Sequence, residues 1–292
     1  MRNSGWGYSL FTVVNLIFLT ALALIMFLPF VNVIAQSFSS TNAITTGRVV
    51  FWPVEATTIH YRYVFSDASI WRSFGITVYI TLLGTLLNLA ATAMLAYPVS
   101  RQEYKGRNLV VLLVLVTMIF SAPLIPNFIL IKSLGLMNSL WALMLPGAIS
   151  AFNFFVMLSF FRELPAELID AGRIDGCGEW RIAASIVLPL SKPVMASLGI
   201  FYAVSHWNTF MSALYYINKP NLYPLQVKLR QMIVSDDIAV DPSATQFSEL
   251  AHSSPEGIKM AVIMVATLPI ILVYPLLQRH FVKGMMIGSI KS

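Results

Sequence analysis

Residues 8–35 read YSLFTVVNLIFLTALALIMFLPFVNVIA, with no acidic or basic residue among them. A helix that crosses the hydrocarbon core of a bilayer needs roughly 20 apolar residues, and this run is longer. A secretory signal has an apolar core of only roughly 7 to 15 residues. Although Arg2 precedes the run, we therefore interpret it as a retained transmembrane helix.

The whole chain has the composition of a membrane protein. Of its 292 residues 57% are hydrophobic and 11% charged, whereas a soluble domain carries about 25% charged residues. A large water-soluble enzyme is thereby excluded, and the single cysteine, Cys177, excludes an intrachain disulfide scaffold. The 19 basic residues outnumber the 13 acidic ones but are scattered, which argues against nucleic acid and favours loops beside anionic lipid.

Five further apolar runs follow the first. We place them at residues 73–100, 108–132, 139–161, 194–216 and 258–277. Pro123 and Pro126 predict a kink or break in the third run, because each removes an amide donor. Six spans leave little chain for a separate soluble domain. The predicted fold is therefore an all-α integral membrane protein with six transmembrane helices in one domain, residues 1–292.

The basic residues near the span ends predict the orientation. The short loop after the second run carries Arg101, Lys105 and Arg107, whereas the turn at 133–138 carries no base. Short cytoplasmic loops are enriched in Lys and Arg, so both termini are expected inside. The loops 36–72 and 217–257 then lie outside. The basic tail from residue 279 suits anchoring at lipid headgroups or contact with a partner.

Residues 162–192 form a patterned loop on the predicted cytoplasmic side. They read RELPAELIDAGRIDGCGEWRIAASIVLPLSK. Pro165 suits the first turn of a helix, and Asp170 and Arg173 lie three residues apart on its outer face. Gly176 is expected to end this helix in a left-handed conformation.

A second amphipathic helix is expected from Glu179 to Pro189. A short helix, a glycine turn and another short helix suit a groove on a partner protein. Packing of the same unit on the membrane interface is the alternative.

The loop resembles the EAA loop of binding-protein-dependent ABC importer permeases. That pattern is Glu-Ala-Ala, three residues, Gly, nine residues, Ile, any residue and Leu-Pro, and both spacings are kept. The matching positions are Asp170, Ala171, Gly172, Gly176, Ile186, Leu188 and Pro189. Asp170 replaces Glu and keeps the charge, whereas Gly172 replaces Ala and loosens the helix by about 1 kcal/mol.

Other segments resemble the carbohydrate-uptake branch of these permeases, the maltose-type inner membrane subunit. They are Ile174-Asp175-Gly176, Leu188-Pro189-Leu190-Ser191-Lys192-Pro193, Trp207-Asn208-Thr209-Phe210, Leu134-Gly135-Leu136-Met137-Asn138, and Gln278-Arg279 with Gly284 and Gly288. Residues 32–65 resemble a subgroup for complex oligosaccharides, some of them acidic.

The resemblance implies a transport subunit of the bacterial cytoplasmic (inner) membrane that has no enzyme activity of its own. It implies a second, homologous permease of different sequence, two cytoplasmic ABC ATPases that bind ATP and magnesium, and an extracytoplasmic solute-binding protein. By position, Asp170 would be the charged anchor for an ATPase, and Ala171 and Gly172 would permit close approach. Gly176 would form the turn, while Ile186, Leu188 and Pro189 would tie the second helix to the fifth span.

Five polar or amphipathic residues in the predicted spans are candidates for a sugar path. They are Asn88, Asn153, His206, Trp207 and Asn208. Amides hydrogen bond to sugar hydroxyls and aromatic rings cover sugar faces, although each residue could instead join two helices. The four histidines are scattered without metal-ligand spacing. The chain lacks a Gly-x-x-x-x-Gly-Lys-Ser/Thr loop, so any ATP belongs to a partner.

Other functions stay open at this point. The same machine could carry a polyamine or a phosphate ester, and an ion-coupled carrier or a polytopic scaffold are further alternatives. No acidic or basic residue lies well inside a predicted span, which disfavours the ion-coupled carrier. The EAA-like spacing favours an ATP-driven importer, with an oligosaccharide as the leading substrate.

Overall fold

The computed structural model describes residues 6–120, 122–234 and 254–287, in which every regular element is helical. The elements are α1 (Trp6–Ser37), α2 (Thr41–Thr45), α3 (Ile59–Ser66), α4 (Ala68–Ser100), α5 (Arg107–Ile119), α6 (Leu124–Ser133), α7 (Trp141–Met144), α8 (Ala151–Glu163), α9 (Ala166–Ile174), α10 (Glu179–Ile182), a π-helical segment (Ala183–Val187), α11 (Leu188–Leu190), α12 (Lys192–Trp207), α13 (Met211–Tyr216), a 3₁₀ turn (Pro220–Leu222), α14 (Leu225–Val234) and α15 (Pro255–Ile287).

Three helices in the described ranges are long and apolar enough to cross a membrane. They are Leu10–Ser37 within α1, Ala68–Ser100 and Pro255–Leu272 within α15. Two bent pairs of helices bring the number to five at most, and one of them, Glu179–Leu190 with α12, bends by 81°. The predicted all-α membrane fold is confirmed, while the count of six spans and the single domain stay predictions.

The first, second and sixth predicted runs each form one helix, namely α1, α4 and α15. The third run is broken near its prolines, as predicted. There α5 ends at Ile119, and Pro123 immediately precedes α6.

The fourth and fifth predicted runs are not continuous helices, which corrects the sequence analysis. Residues 145–150 separate α7 from α8, where Pro146 lacks an amide hydrogen and cannot extend a helix. Asn208 ends α12, and both its backbone amide and its side-chain amide donate to the carbonyl of Val204, over 3.1 Å and 2.8 Å. The next amide, that of Thr209, donates to the carbonyl of His206 three residues back, so the α-helical pattern stops there.

The chain divides into two compact units. One holds the described residues of Met1–Ile70 and Leu229–Leu268. In this unit the apolar side chains of α1 are exposed around the whole helix from Leu10 to Phe30, as suits a segment surrounded by lipid. A small core of Ala35, Ala43 and Val49 closes the end of α1.

The other unit holds Trp71–Lys228 and the described residues of Pro269–Ser292. Two apolar cores in the described part of this unit are built on α4. Ala93, Ala96 and Val99 of α4 belong to one core, together with residues of α8, α9, α12 and the π-helical segment. Ile80 of α4 belongs to the other, together with residues of α6, α7, α13 and α14. Asn88 lies between these two parts of α4.

Candidate functional site

We call the segment 162–192 the loop segment. It contains α9, a turn at Gly176 and, in place of the single second helix that was predicted, α10, the π-helical segment and α11 in succession. Gly176 has a φ of +77°, which an L side chain rarely adopts. The amide of Cys177 donates to the carbonyl of Gly172 over 2.9 Å, and the amide of Gly176 donates to Arg173 over 3.0 Å. This pair of bonds is a Schellman motif. The predicted glycine turn is confirmed.

Gly172 and Ile186 lie against each other across this turn. A Cβ atom at Gly172 would lie 2.9 Å from Cδ1 of Ile186 and 3.3 Å from Cγ1 of Ile182. The glycine at a position where the EAA pattern has alanine thus permits these isoleucines to approach α9. Ile186 and Leu188 also pack against the core that contains Val194 and Leu198 of α12, whereas Pro189 is exposed.

A set of polar side chains joins the loop segment to the end of α4. We call Arg173, Asp170, Glu103, Glu179 and Tyr97 the Arg173 cluster. The Arg173 guanidinium lies 2.9 Å from Glu103, 2.9 Å from Glu179 and 3.6 Å from Asp170. The hydroxyl of Tyr97 donates to the other oxygen of Glu179 over 2.7 Å. The hydrogen bond from Arg173 lowers the pKa of the Glu103 carboxyl.

The outer face of the loop segment exposes large apolar side chains next to charged ones. Ile174 is 86% exposed and Trp180 is 77% exposed. Asp170 and Ala171 are exposed on α9, which also carries Ile174, whereas Gly172 of that helix is buried. Large exposed apolar residues next to a structured turn are typical of a protein contact.

A cavity of about 1190 Å³ lies where the two interrupted runs meet α4, and we call it the amide cavity. It is lined by Asn88, Asn127, Asn153 and Asn208, by hydroxyl side chains, and by aromatic rings. Among the described residues that line it there is no Asp, Glu, Lys or Arg. Polar side chains inside apolar helices are expected where they line a cavity or bind one another.

Two hydrogen-bonded contacts from α4 hold the interruption between α7 and α8. The side-chain amide of Asn88 donates to the carbonyl of Gly147 over 3.2 Å. One turn further along α4, Thr92 hydrogen bonds to the hydroxyl of Tyr202 over 2.7 Å, and that hydroxyl accepts from the amide of Ser150 over 3.1 Å. The break therefore has a defined geometry fixed by α4 and α12.

Four of the five residues predicted for a sugar path line the amide cavity. They are Asn88, Asn153, His206 and Asn208. The buried Oδ1 atom of Asn88 has no hydrogen-bond partner among the described residues. The ring of His206 lies against Gly84 of α4. Trp207 does not line the cavity and packs edge-on against Phe74, with ring centroids 5.9 Å apart.

Several residues of both sites were missed by the sequence analysis. Glu103, Glu179 and Tyr97 give no sequence signal because they are distant along the chain or look like ordinary loop and helix residues. Tyr202 was missed as well, because an aromatic residue is not unusual in an apolar run. Residues 235–253 of the loop 217–257 and the side chains of the basic tail lie outside the described residues. In the described ranges no group of three or more His, Cys, Asp or Glu residues is arranged so that it could hold a metal ion.

The comparisons with known proteins agree with this geometry. Residues 94–287 match the family described as the binding-protein-dependent transport system inner membrane component. The chain is 44% identical to protein LplC of Bacillus subtilis, with 100% of this chain and 98% of LplC aligned. It is 43% identical to the polygalacturonan/rhamnogalacturonan transport system permease protein YtcP of Bacillus subtilis, over 94% of this chain and 96% of YtcP.

A solved structure is also similar over nearly the whole chain. It is the crystal structure of a bacterial ABC transporter involved in the import of the acidic polysaccharide alginate. One of its chains is 30% identical to this chain and superposes with a TM-score of 0.89. The alignment covers 96% of this chain and 100% of that chain.

These findings define the class of protein as a membrane permease component. The chain belongs to the binding-protein-dependent transport system inner membrane component family. The family resemblance found in the sequence is confirmed.

Proposed function

We propose that this chain is one membrane-spanning subunit of an ATP-driven ABC importer for an oligosaccharide, with acidic pectin- or alginate-like fragments as the leading class. The amide cavity is the observation that supports a sugar as the substrate. Its asparagines offer donors and acceptors for hydroxyl groups, and its aromatic rings offer faces for sugar rings. The relatives that transport polygalacturonan, rhamnogalacturonan and alginate support the same class.

The transport path in this proposal runs through the amide cavity, where Asn88, Asn153, His206 and Asn208 contact the sugar. Because none of the described lining residues is Asp, Glu, Lys or Arg, a carboxylate of an acidic sugar would be received by amide and hydroxyl donors. A cavity without fixed charge suits passage, since each hydrogen bond is worth only about 1 kcal/mol net and is readily exchanged.

The loop segment is the proposed contact with the ATPase. Asp170 is the charged anchor, Ala171 and Gly172 allow close approach, and Gly176 forms the turn. Ile186, Leu188 and Pro189 connect the second helix to α12. The exposed side chains of Ile174 and Trp180 would add apolar area to that contact.

The remaining parts of the proposal follow the family. The chain would cross the bacterial inner membrane six times, with both termini cytoplasmic, beside a second permease of different sequence. Two ABC ATPases would bind ATP and magnesium, and a solute-binding protein would dock on loops 36–72 and 217–257 outside. This chain itself would bind no cofactor and perform no catalysis.

Purification of the tagged chain from its native membrane tests the assembly. We expect an ABC ATPase and a second polytopic protein to be identified by mass spectrometry. Isolation of the chain alone in several mild detergents would overturn the importer assignment.

Uptake of labelled oligogalacturonate and of a neutral oligosaccharide, compared between cells with and without the chain, tests the substrate class. Loss of saccharide uptake without the chain is expected. Loss of polyamine or phosphate-ester uptake, with saccharide uptake intact, would overturn the sugar assignment.

A further inference from the structure

We propose that Arg173 is a positioning residue that joins the loop segment to α4, so that movement of the loop reaches the amide cavity. This inference rests on the function proposed above, in which the loop segment contacts the ATPase. It concerns a connection within this chain, between the loop segment and the cavity.

The Arg173 cluster supplies the link. Arg173 belongs to α9, Glu179 begins α10, and Glu103 follows the end of α4. The guanidinium contacts both carboxylates at 2.9 Å, while Tyr97 on α4 donates to Glu179 over 2.7 Å. Arg173 therefore connects α9 to the start of α10 and to the residues just after α4, and Glu179, which it holds, is bonded to α4 through Tyr97.

The helix α4 connects this cluster to the cavity. It is a single helix of 33 residues, and Tyr97 lies nine positions beyond Asn88, or roughly 13 Å along the axis. Asn88 holds the carbonyl of Gly147, and Thr92 holds Ser150 through Tyr202. A displacement of the α4 end would therefore act on the interruption between α7 and α8, which lines the cavity.

Arginine suits this position better than lysine. Its planar guanidinium offers five donors in a fixed fork and can serve several carboxylates at once. The side chains in these ion pairs are 35% to 63% exposed, so each pair adds little to stability. The apolar core beneath the loop, with Phe161, Ile169 and Ile182, does not include Arg173. A variant at Arg173 is therefore expected to keep this packing while it loses the ion pairs to Glu103 and Glu179 that fix the loop segment relative to the end of α4.

The test uses the assembled importer in liposomes, with its partner permease, ATPases and binding protein, and measures saccharide transported per ATP hydrolysed. For Arg173→Gln we expect this ratio to fall by between about twofold and thirtyfold, the range of coupling energies along such networks, while ATP hydrolysis continues. Arg173→Lys should lie between Arg173→Gln and the wild type. Lys105→Gln is the matched control, since exposed Lys105 lies outside the loop segment and has no ion pair with the described residues, and its ratio should stay unchanged.

A double-mutant cycle distinguishes a shared contact from general damage. Arg173→Gln combined with Glu103→Gln should be no worse than the stronger single variant, because both remove one contact. Additive losses, or a normal ratio in Arg173→Gln, would overturn the positioning role. A wild-type assembly whose ATP hydrolysis does not respond to saccharide and binding protein would instead overturn the proposed function.

Discussion

The loop segment and the amide cavity differ in how their shapes are determined. The loop segment is local: its helix, turn and cap involve residues within a few positions of Gly176. The cavity is assembled from α4, α8, α12 and two helix interruptions that are far apart in sequence. A local unit is fixed by the conformational preferences of a few residues, whereas the cavity depends on contacts such as Asn88 with Gly147, 59 positions apart.

The largest effect is expected when a long-range contact of the cavity is removed. Asn88→Leu keeps the approximate size of the side chain but leaves the carbonyl of Gly147 without its donor. A hydrogen bond is worth about 1 kcal/mol net, and this change removes the bond to Gly147 as well as the proposed bond to the sugar, so we expect saccharide uptake to fall by about tenfold to a hundredfold. Uptake should be measured against the amount of protein in the membrane.

Trp207→Phe provides the contrast for this prediction. Trp207 is only 8% exposed and packs on Phe74 away from the cavity. We expect its replacement to lower the amount of folded protein while the apparent KM for saccharide stays the same. If Trp207→Phe raised the apparent KM for saccharide and Asn88→Leu left uptake unchanged, Trp207 and not Asn88 would belong to the sugar path.

The next effect tests the local character of the loop segment. Gly176→Val forces a β-branched residue to a φ of +77°, at a cost of roughly 1–2 kcal/mol. We expect uptake to fall about tenfold while the protein remains in the membrane. The control is Gly178→Ala, because Gly178 has a φ of −71° and open space at its Cβ position. Equal uptake in the two variants would show that the turn geometry is not required.

A smaller effect is expected inside the same unit. Gly172→Ala restores the residue of the EAA pattern but brings a Cβ to 2.9 Å from Cδ1 of Ile186. Overpacking costs about 1–3 kcal/mol and alanine regains about 1 kcal/mol of helix propensity, so we expect a net destabilisation of about 1 kcal/mol. Adding Ile186→Val removes that Cδ1 atom and should restore the thermal stability measured in detergent. If the double variant stays less stable than the wild type, the contact with Cδ1 of Ile186 is not the source of the strain.

The smallest effect is the pH dependence of Glu103. Its pKa is lowered in the folded protein by the hydrogen bond from Arg173. The carboxylate thus stabilises the fold at pH values above its unfolded pKa, and this contribution is lost as the pH falls through the lowered value. The pair is exposed, so a few tenths of a kcal/mol are expected. The difference in Tm between wild type and Glu103→Gln should be constant from pH 8 to pH 5 and vanish in stronger acid.

The sequence was sufficient for features that depend on near neighbours. Gly176, the contact between Asp170 and Arg173, and the break between α5 and α6 were all predicted, since glycine, helical spacing and proline act locally. Glu103 could not be assigned to Arg173, because 70 positions separate the two residues. Four cavity residues were found because a polar side chain in an apolar run is conspicuous. The interruption at Pro146-Gly147 is a loop signal, but the surrounding hydropathy concealed it.

The π-helical segment at Ala183–Val187 limits the insertions and deletions that the loop segment can tolerate. A π-helical turn accommodates one residue more than an α-helical turn and is found mostly inside otherwise regular helices. It lies directly before Pro189, whose ring would clash with a carbonyl four residues earlier in a regular α-helix. Deletion of a single residue here would rotate everything that follows by about 100°. Insertions and deletions between Gly176 and Pro189 are therefore expected to be far less tolerated than changes of residue type.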